Sequence, residues 1–265
     1  GAPLVVRGTN YVTLTPTGET FYEDARDVLA RADQAVERAR GERRNESVRV
    51  GYMPTAAAGI MAAALKKFQA AAPRVRVDLS EITVGEMKKR AKAGRLDLLI
   101  LPERETQDLP GFQWILLRKI AFVAVMPATH PLARLKKISP ARLRDVSLIG
   151  FDKEAFPSYS THVRDSLRPF GVTPRFVALI NDGTASVMAA LEANHAVAVV
   201  SDSAEDIMPR NMVARPFSPS LANSNIVMGF SETQPNRHAA TFARFLREEA
   251  EQSRPAKKAG NTKAF

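Results

Sequence analysis

The sequence predicts an α/β protein with two lobes, preceded by a short hairpin and a long helix. Three observations support this fold class. Residues 48–101 alternate between β-prone and helical segments, residues 120–201 do so again, and residues 16–40 carry apolar side chains at heptad spacing. Alternating strands and helices are typical of a parallel sheet covered by helices, and a heptad spacing is typical of a helix that packs along a long partner.

The composition excludes several functional classes. The chain has 265 residues, of which 45% are hydrophobic, enough for a core in more than one lobe. It contains no apolar run of about 18 residues that could span a membrane and no signal-peptide pattern. The absence of cysteine excludes disulfides, thiolate catalysis and Cys-ligated metals. We therefore expect a cytoplasmic protein without membrane contact.

The net charge of +10 suggests a nucleic-acid partner, but its distribution weakens that interpretation. Residues 1–47 carry 7 Lys/Arg against 8 Asp/Glu, so the opening helix is not a basic DNA-binding arm. The excess lies on the body and on residues 252–265, which hold 4 basic and no acidic groups and are predicted to be a disordered tail. A basic body is usually only a solvated surface; a preference for anionic ligands is the second interpretation.

The first 15 residues predict a hairpin, because "LVV" and "YVTL" flank the turn signal "RGTN". Thr15 is suited to cap the following helix and Pro16 to begin it, and the helix is expected to run to about Arg40, with Gly41 as its stop. Its apolar seam predicts dimerisation; an ordinary surface helix lying on its own domain is the alternative. The seam consists of Phe21, Ala25, Val28, Ala32, Ala35 and Ala39.

The first part of the body predicts a parallel sheet. A strand over 48–54 is followed by a helix over 55–73 with Thr55 as its cap, a strand over 74–82, a short helix closed by Gly94 and a buried strand over 96–101. "VGEMKKRAKAG" is the short helix, and "LDLLIL" is the buried strand.

A second set of elements begins with a strand over 120–127. "SPARLRD" predicts a short helix capped by Ser139, "VSLIGF" a strand, and "YSTHVRDSLRPFG" a helix that ends at Gly171. "PRFVAL", "DGTASVMAALEANH" and "AVAVVS" repeat the strand–helix–strand pattern, with Asn194 expected in the left-handed conformation at the helix end. The chain is expected to return to the first lobe through "NSNIVMGFS" and a final amphipathic helix.

The segment "PLVVR…VTLTPTGETFYEDAR" resembles the wing and linker-helix start of LysR-type transcriptional regulators, in which Leu-Phe-x-Arg precedes Leu-Thr-Pro-x-Gly and a long helix. "AGRLDLLIL" resembles their effector domain. "ATHPLA" and "FPSYSTHVRDSLRPFGVTP" resemble the subgroup that senses benzoate- and muconate-like compounds. Val5 and Val6 depart from the usual Phe. The matching residues of the first segment are Leu4, Arg7, Leu14, Thr15, Pro16 and Gly18.

This resemblance implies a domain organisation. Residues 1–15 would be a remnant of the wing of a winged helix-turn-helix, and 16–44 a linker and dimerisation helix. Residues 48–251 would be an effector-binding domain with a periplasmic-binding-protein-like fold. Its first lobe would cover about 48–119 and 222–251, and its second lobe about 120–221. The DNA-reading helices would precede Gly1, so that the chain is a truncated regulator.

The resemblance also implies partners. A regulator of this kind binds a small-molecule effector, contacts promoter DNA through its N-terminal domain and forms a homodimer or homotetramer. The wing residues expected to contact DNA are Arg7, Thr9 and Asn10.

In open α/β sheets, ligands bind beyond the carboxyl ends of the strands, against helix N-termini. The residues at such points are Thr55, Ala56, Thr83, Ser158, Tyr159, Ser160, Asp182 and Gly183. The resemblance places Thr55, Thr83, Pro157, Tyr159 and Gly183 at or next to the effector cleft, with Val84 in place of Thr83 if the match shifts by one.

We expect these residues to bind a small planar acid, with the Tyr159 ring supplying apolar area and the hydroxyls fixing orientation. No pair of arginines is aimed at the cleft, so a dicarboxylate is not favoured over a monocarboxylate. Thr55, Ser158 and Thr184 are also typical helix N-caps, and one sequence cannot separate the two roles.

Signs of catalysis are missing. The sequence has no GxxxxGK[ST], no GxGxxG after a strand, no HExxH and no GxSxG. The four histidines, His130, His162, His195 and His238, lie far apart and are expected in hydrogen-bonded surface or structural roles. We therefore predict no enzyme activity, no cofactor and no metal. A transport solute-binding protein, and an enzyme on the same fold, remain the alternatives to a regulator.

Overall fold

The computed structural model describes residues 1–8, 12–39, 47–181, 183–232 and 235–252. It begins with an antiparallel hairpin, β1 (Val5–Arg7) and β2 (Val12–Leu14), followed by the 24-residue helix α1 (Pro16–Ala39). The predicted cap is confirmed, because the Thr15 hydroxyl accepts a hydrogen bond from the Gly18 amide at 2.9 Å. Arg40 and Gly41, the expected end of the helix, lie outside the described residues, as does the tail from 253 onward.

The first lobe contains a five-stranded sheet. Its strands are β3 (Ser47–Tyr52), β4 (Arg76–Glu81), β5 (Leu98–Pro102), β6 (Phe112–Ile120) and β12 (Ser224–Ser231). Their order in the sheet is β4-β3-β5-β12-β6. β3, β4 and β5 are parallel, as the alternating pattern predicted, and β12 and β6 pair in the antiparallel sense. The helices are α2 (Pro54–Ala57), α3 (Met61–Ala71), α4 (Val84–Lys92) and α7 (Arg237–Gln252).

The core of this lobe forms where α3 and α7 pack on one face of the sheet. Phe68 of α3 and Phe242 of α7 are both fully buried, and their rings meet edge to face with centroids 5.3 Å apart. The apolar side chains of β3 and β5 complete this cluster.

The second lobe contains β7 (Phe122–Pro127), β8 (Ser147–Phe151), β9 (Arg175–Ile180), β10 (Ala198–Ser201) and β11 (Met212–Pro216), with α5 (Tyr159–Leu167) and α6 (Thr184–Asn194). β10, β7 and β11 form an antiparallel sheet, and β8 pairs with β9 in parallel. The Ile149 amide donates to the Val197 carbonyl at 2.9 Å, which joins the two sheets. Short 3₁₀ helices are Glu103–Glu105, Pro131–Arg134, Pro140–Leu143, Arg168–Phe170 and Asp202–Asp206.

Two local predictions were wrong. The expected single helix over 55–73 is divided into α2 and α3 by Gly59, whose φ of +75° belongs to the left-handed region. At the end of α6, His195 and not Asn194 adopts the left-handed conformation, with φ +46°. Asn194 remains helical, and its side-chain amide donates to the Ala190 carbonyl at 2.9 Å.

Two absences concern the described residues alone. None of their helices is both long and apolar enough to cross a membrane. Nor do they bring together three His, Cys, Asp or Glu side chains in a way that could hold a metal ion.

A buried ion pair anchors the central strand of the first sheet. The Asp97 carboxylate, 2% exposed, accepts bonds from the Arg49 guanidinium at 2.9 and 3.1 Å and from the Arg49 backbone amide at 2.8 Å. The paired arginine fork satisfies both carboxylate oxygens. Asp97 thereby ties β3 to the residues just before β5.

We predict that Asp97→Ala lowers the free energy of unfolding by about 2–3 kcal/mol, because it leaves the Arg49 fork without its buried partner. Urea denaturation of both proteins measures this. The matched control is Asp78→Ala, which removes the same bidentate geometry from the exposed Arg76 and should change stability little. Equal losses in the two variants would contradict the anchoring role.

Candidate functional site

A pocket of about 410 Å³ lies between the two lobes. Its floor is the set of residues that follow the carboxyl ends of β3, β4 and β5, and its roof comes from β7, β8 and the first turns of α5 and α6. The volume falls within the range of small-molecule pockets, about 300–1,000 Å³.

The pocket walls are mostly apolar and rich in aromatic rings. Phe151 packs edge to face on Tyr159, with ring centroids 4.5 Å apart, and on Phe156 at 4.7 Å. Phe122 and Met188 contribute further apolar surface from the second lobe. Such walls favour a ligand with a ring or a short hydrocarbon body.

Six of the ten residues that the sequence suggested line this pocket: Thr55, Thr83, Val84, Ser158, Tyr159 and Gly183. Ala56 is buried in the core of the first lobe, and Pro157 and Ser160 do not line the pocket. Asp182 lies outside the described residues.

The Tyr159 and Ser158 hydroxyls donate their protons to other groups of the protein, whereas the sequence analysis expected them to orient a ligand. The Tyr159 hydroxyl donates to the Val199 carbonyl at 3.1 Å, and burial raises the pKa of this phenol. Ser158 occupies the cap position of α5, but its hydroxyl donates to the Glu105 carboxylate instead of capping the helix. Both residues line the pocket, but their hydroxyl groups are hydrogen-bonded within the protein.

Of the three threonines near the pocket, two do not cap a helix and one does. Met53 and Gly183, not Thr55 and Thr184, hold the cap positions of α2 and α6, and neither uses its side chain. Thr83 is a side-chain cap, since its hydroxyl accepts from the Glu86 amide at 3.3 Å.

Glu105 connects the two lobes beside the pocket. Its carboxylate is 3% exposed and accepts bonds from Lys88 Nζ at 2.8 Å, from the Ser158 amide at 2.9 Å and from the Ser158 hydroxyl. Nearby, the Gly85 amide donates to the Ala155 carbonyl at 2.9 Å. The first lobe is thus hydrogen-bonded to the start of α5 in the second.

Arg104 supplies positive charge to the pocket. It is the only Lys or Arg among the described lining residues, and neither a hydrogen bond nor an ion pair links its guanidinium to any part of the chain described here. Burial lowers the pKa of Arg104, and the Glu105 and Asp165 charges oppose this, so the group stays cationic at neutral pH. The sequence search for an arginine pair missed this single residue. The available signal was its position directly after the predicted strand 96–101.

His162 departs from the expected hydrogen-bonded role. It lines the pocket, is 8% exposed, and its Nε2 is buried with no hydrogen-bond partner among the described residues. Its ring lies 4.5 Å from that of Phe122. The pKa of His162 is lowered to about 4, mainly by burial and also by the Arg104 charge, while the Asp165 charge opposes the shift. The imidazole is therefore neutral at pH 7.

His130 has the predicted structural role. Its Nδ1 accepts a hydrogen bond from the Leu132 amide at 3.2 Å, which caps the 3₁₀ turn that follows.

Residues 41–251 match the LysR substrate binding domain. The chain belongs to this family. The LysR match covers both lobes and the pocket between them, and it confirms the family resemblance read from the sequence.

Curated relatives of this chain are named as transcriptional regulators. The Hca operon transcriptional activator HcaR of Escherichia coli is 30% identical over 161 residues, which are 60% of this chain and 52% of HcaR. The regulator BenM of Acinetobacter baylyi is 27% identical over 177 residues, 66% of this chain and 58% of BenM. The chain thus matches somewhat more than half the length of these relatives.

Solved LysR structures confirm the two-lobe fold. The structure of CbnR, a LysR family transcriptional regulator, superposes with a TM-score of 0.65 at 23% identity, covering 89% of this chain and 82% of CbnR. A full-length BenM variant gives a TM-score of 0.66 at 21% identity over 95% and 83% of the two chains.

We predict that His162 makes stability depend on pH. The unfolded chain protonates this group near its ordinary pKa of 6.5 and the folded chain only near 4, so its contribution is complete above pH 6.5 and is lost as pH falls toward 4. The full effect is at most about 3 kcal/mol. Urea denaturation at pH 7, 6 and 5 measures it.

The variant His162→Gln isolates this effect, because the other titrating groups are common to both proteins. Stability should fall less steeply with acidification in His162→Gln than in the unchanged chain. Parallel pH profiles would show that the imidazole is not held neutral.

Proposed function

We propose that the chain is the effector-binding part, with the linker helix, of a LysR-type transcriptional regulator, and that the pocket binds a small, largely apolar carboxylic acid. Binding would change the arrangement of lobes or subunits and so the activity of the regulator at its promoter. The family membership supports the first statement. The unpaired, half-buried guanidinium of Arg104 in an apolar pocket supports the second.

The charge balance of the pocket supports a single carboxylate. Glu105 and Glu86 already have cationic partners, since Lys88 Nζ lies 2.8 Å from Glu105 and Arg90 Nε lies 2.6 Å from Glu86. Glu81 is exposed, so water screens its charge. An arginine fork without a partner suits one carboxylate, held by two parallel hydrogen bonds. A dicarboxylate would leave its second charge among apolar walls.

The shape of the walls supports an aromatic acid. The pocket that Arg104 lines is also lined by Phe122, Phe151, Phe156 and Tyr159. An aromatic body buries more area on such rings than a polar chain of the same length does. This agrees with the subgroup that the sequence resembles.

The exposed face of α1 supports a second copy of the chain as partner. The seam residues Phe21 and Val28 are 57% and 66% exposed, and Tyr22 and Leu29 beside them are 52% and 65% exposed. Large apolar side chains that stay exposed along one helix favour an interface. We propose residues 16–44 as the helix that pairs subunits in a homodimer or homotetramer.

The remaining parts follow from this assignment. Residues 1–15 would be the wing remnant, with Arg7 near the DNA backbone, and 48–251 the effector domain. Thr9 and Asn10, the other two wing residues proposed to contact DNA, lie outside the described residues.

We predict that Arg104→Gln weakens binding of benzoate, used as the probe, by tenfold or more. One charge-assisted bidentate contact contributes about 1.5–3 kcal/mol, and each 1.4 kcal/mol is tenfold in affinity. Isothermal titration calorimetry measures the change. The control Arg134→Gln removes an exposed arginine outside the pocket and should bind as the unchanged chain does. Unchanged affinity in Arg104→Gln would refute the proposed site.

We predict that Val28→Glu shifts the chain toward monomer, because it places a charge in the proposed seam. Sedimentation velocity over a concentration series measures the effect. Leu29→Glu is the comparison that separates the heptad seam from the neighbouring apolar row, since Leu29 lies one position off the seam and is almost equally exposed. The proposed seam predicts the smaller effect for Leu29→Glu. A larger effect of Leu29→Glu would place the contact on the neighbouring face, and no effect of either would argue against α1 as an interface.

A further inference from the structure

One polar atom in the pocket wall lacks a partner. His162 Nε2 is buried, and no described residue offers it a hydrogen bond. Leaving a buried polar group unpaired costs about 1–3 kcal/mol. The fold places His162 in the pocket wall. The residue lies in the first turn of α5, where its backbone amide donates to the Ser158 carbonyl at 3.0 Å.

Only one other buried side-chain nitrogen in the described residues is unpaired, and its situation differs. Arg118 Nε lacks a partner, but Arg118 Nη2 donates to the Thr55 carbonyl at 2.8 Å, and Arg118 does not line the pocket. The unpaired nitrogen of His162 belongs instead to the wall that a ligand would touch.

The surroundings of His162 limit what that partner is. The Phe122 ring lies against the imidazole, and two charges act on it: Arg104 from the 3₁₀ helix Glu103–Glu105 of the first lobe, and Asp165 from α5 itself. A water molecule needs two to four polar partners, and the apolar rings here offer few. A second carboxylate would lack a cation of its own, since Arg104 is the only Lys or Arg in the described lining.

We propose that His162 determines ligand specificity by hydrogen-bonding a neutral hydroxyl or amino substituent of the acid whose carboxylate Arg104 holds. This rests on the proposed function of the pocket. A hydroxyl both donates and accepts, so it satisfies the neutral imidazole in either tautomer. The ligand class becomes a ring-substituted aromatic acid with one charged and one uncharged polar group.

The energetic consequence is selectivity between close analogues. A site built to hydrogen-bond a substituent disfavours the analogue that lacks it, because the buried group of the protein is then left unpaired. The apolar walls alone would bind the substituted acid and its unsubstituted analogue with similar affinity, because they contact the aromatic ring in both ligands.

The test is calorimetric titration with two sets of probes. Benzoate and its three monohydroxy isomers form one set, and phenylacetate and its three ring-hydroxylated isomers form the other. The isomers vary the distance between carboxylate and hydroxyl. We expect at least one hydroxylated isomer to bind about tenfold or more tightly than its parent acid.

The variants assign that preference to His162. In His162→Phe, which keeps a ring and removes the unpaired nitrogen, the preference for the hydroxylated isomer over its parent acid should fall to within about threefold of unity. The ratio of the two affinities is the readout, because the substitution in the pocket wall changes both. His162→Gln, which retains a polar terminus, should keep part of the preference. The control His238→Phe changes a histidine on α7, outside the pocket, and should keep all of it. The thermal midpoint of each variant without ligand checks that it is folded.

Two results would overturn this inference and leave the proposed function intact: no hydroxylated isomer preferred although the parent acids bind through Arg104, or a preference that survives in His162→Phe. If none of the acids binds the unchanged chain, the proposed function fails first, and this inference fails with it.

Discussion

The buried Glu105 carboxylate holds the two lobes together beside the pocket. It lies just beyond the end of β5 and accepts bonds from Lys88 in its own lobe and from the Ser158 amide and hydroxyl in the other. A buried charge of this kind is costly unless its hydrogen bonds are satisfied, so it favours the arrangement in which all three donors are present. The neighbouring residue is Arg104, so the same short 3₁₀ helix carries both the connection between the lobes and the counter-charge that we propose for the ligand.

The sequence predicted best those features that depend on residues close to one another in the chain, such as helix starts and stops. The Thr15 cap, the start of α1 at Pro16 and the stop at Gly171, after the 3₁₀ helix that follows α5, depend on backbone requirements that nearby residues satisfy. The parallel strands of the first sheet follow from the alternation of strand and helix patterns. β6 was not predicted, because its sequence "FQWILLRKI" takes its place from pairing with β12, more than a hundred residues away.

The site was predicted only as far as the topology determines it. The rule that ligands lie at the carboxyl ends of strands named five residues that line the pocket, and the family resemblance added Val84. The five are Thr55, Thr83, Ser158, Tyr159 and Gly183. The same reasoning could not show where the hydroxyls point. Ser158 and Tyr159 use theirs to hold the lobes and the second sheet together, through partners that are distant in sequence. Arg104 and His162 were overlooked for the same reason, because an unpaired side chain is recognised only when all its neighbours are known.

The arrangement of these contacts suggests how binding would reach the rest of the molecule. The Thr55 carbonyl, at the floor of the pocket, accepts from Arg118 on β6 and from the Ser203 hydroxyl of the second lobe, at 2.8 and 2.6 Å. Arg118 lies two residues before β6 ends, and the chain enters the second lobe at Phe122. A ligand shifts an equilibrium between lobe arrangements only by the difference in its affinity for them. An acid bound to Arg104 in the first lobe and packed on the aromatic rings of the second makes all of its contacts only when the lobes are close. It would therefore favour the arrangement that Glu105 and Thr55 already hold together.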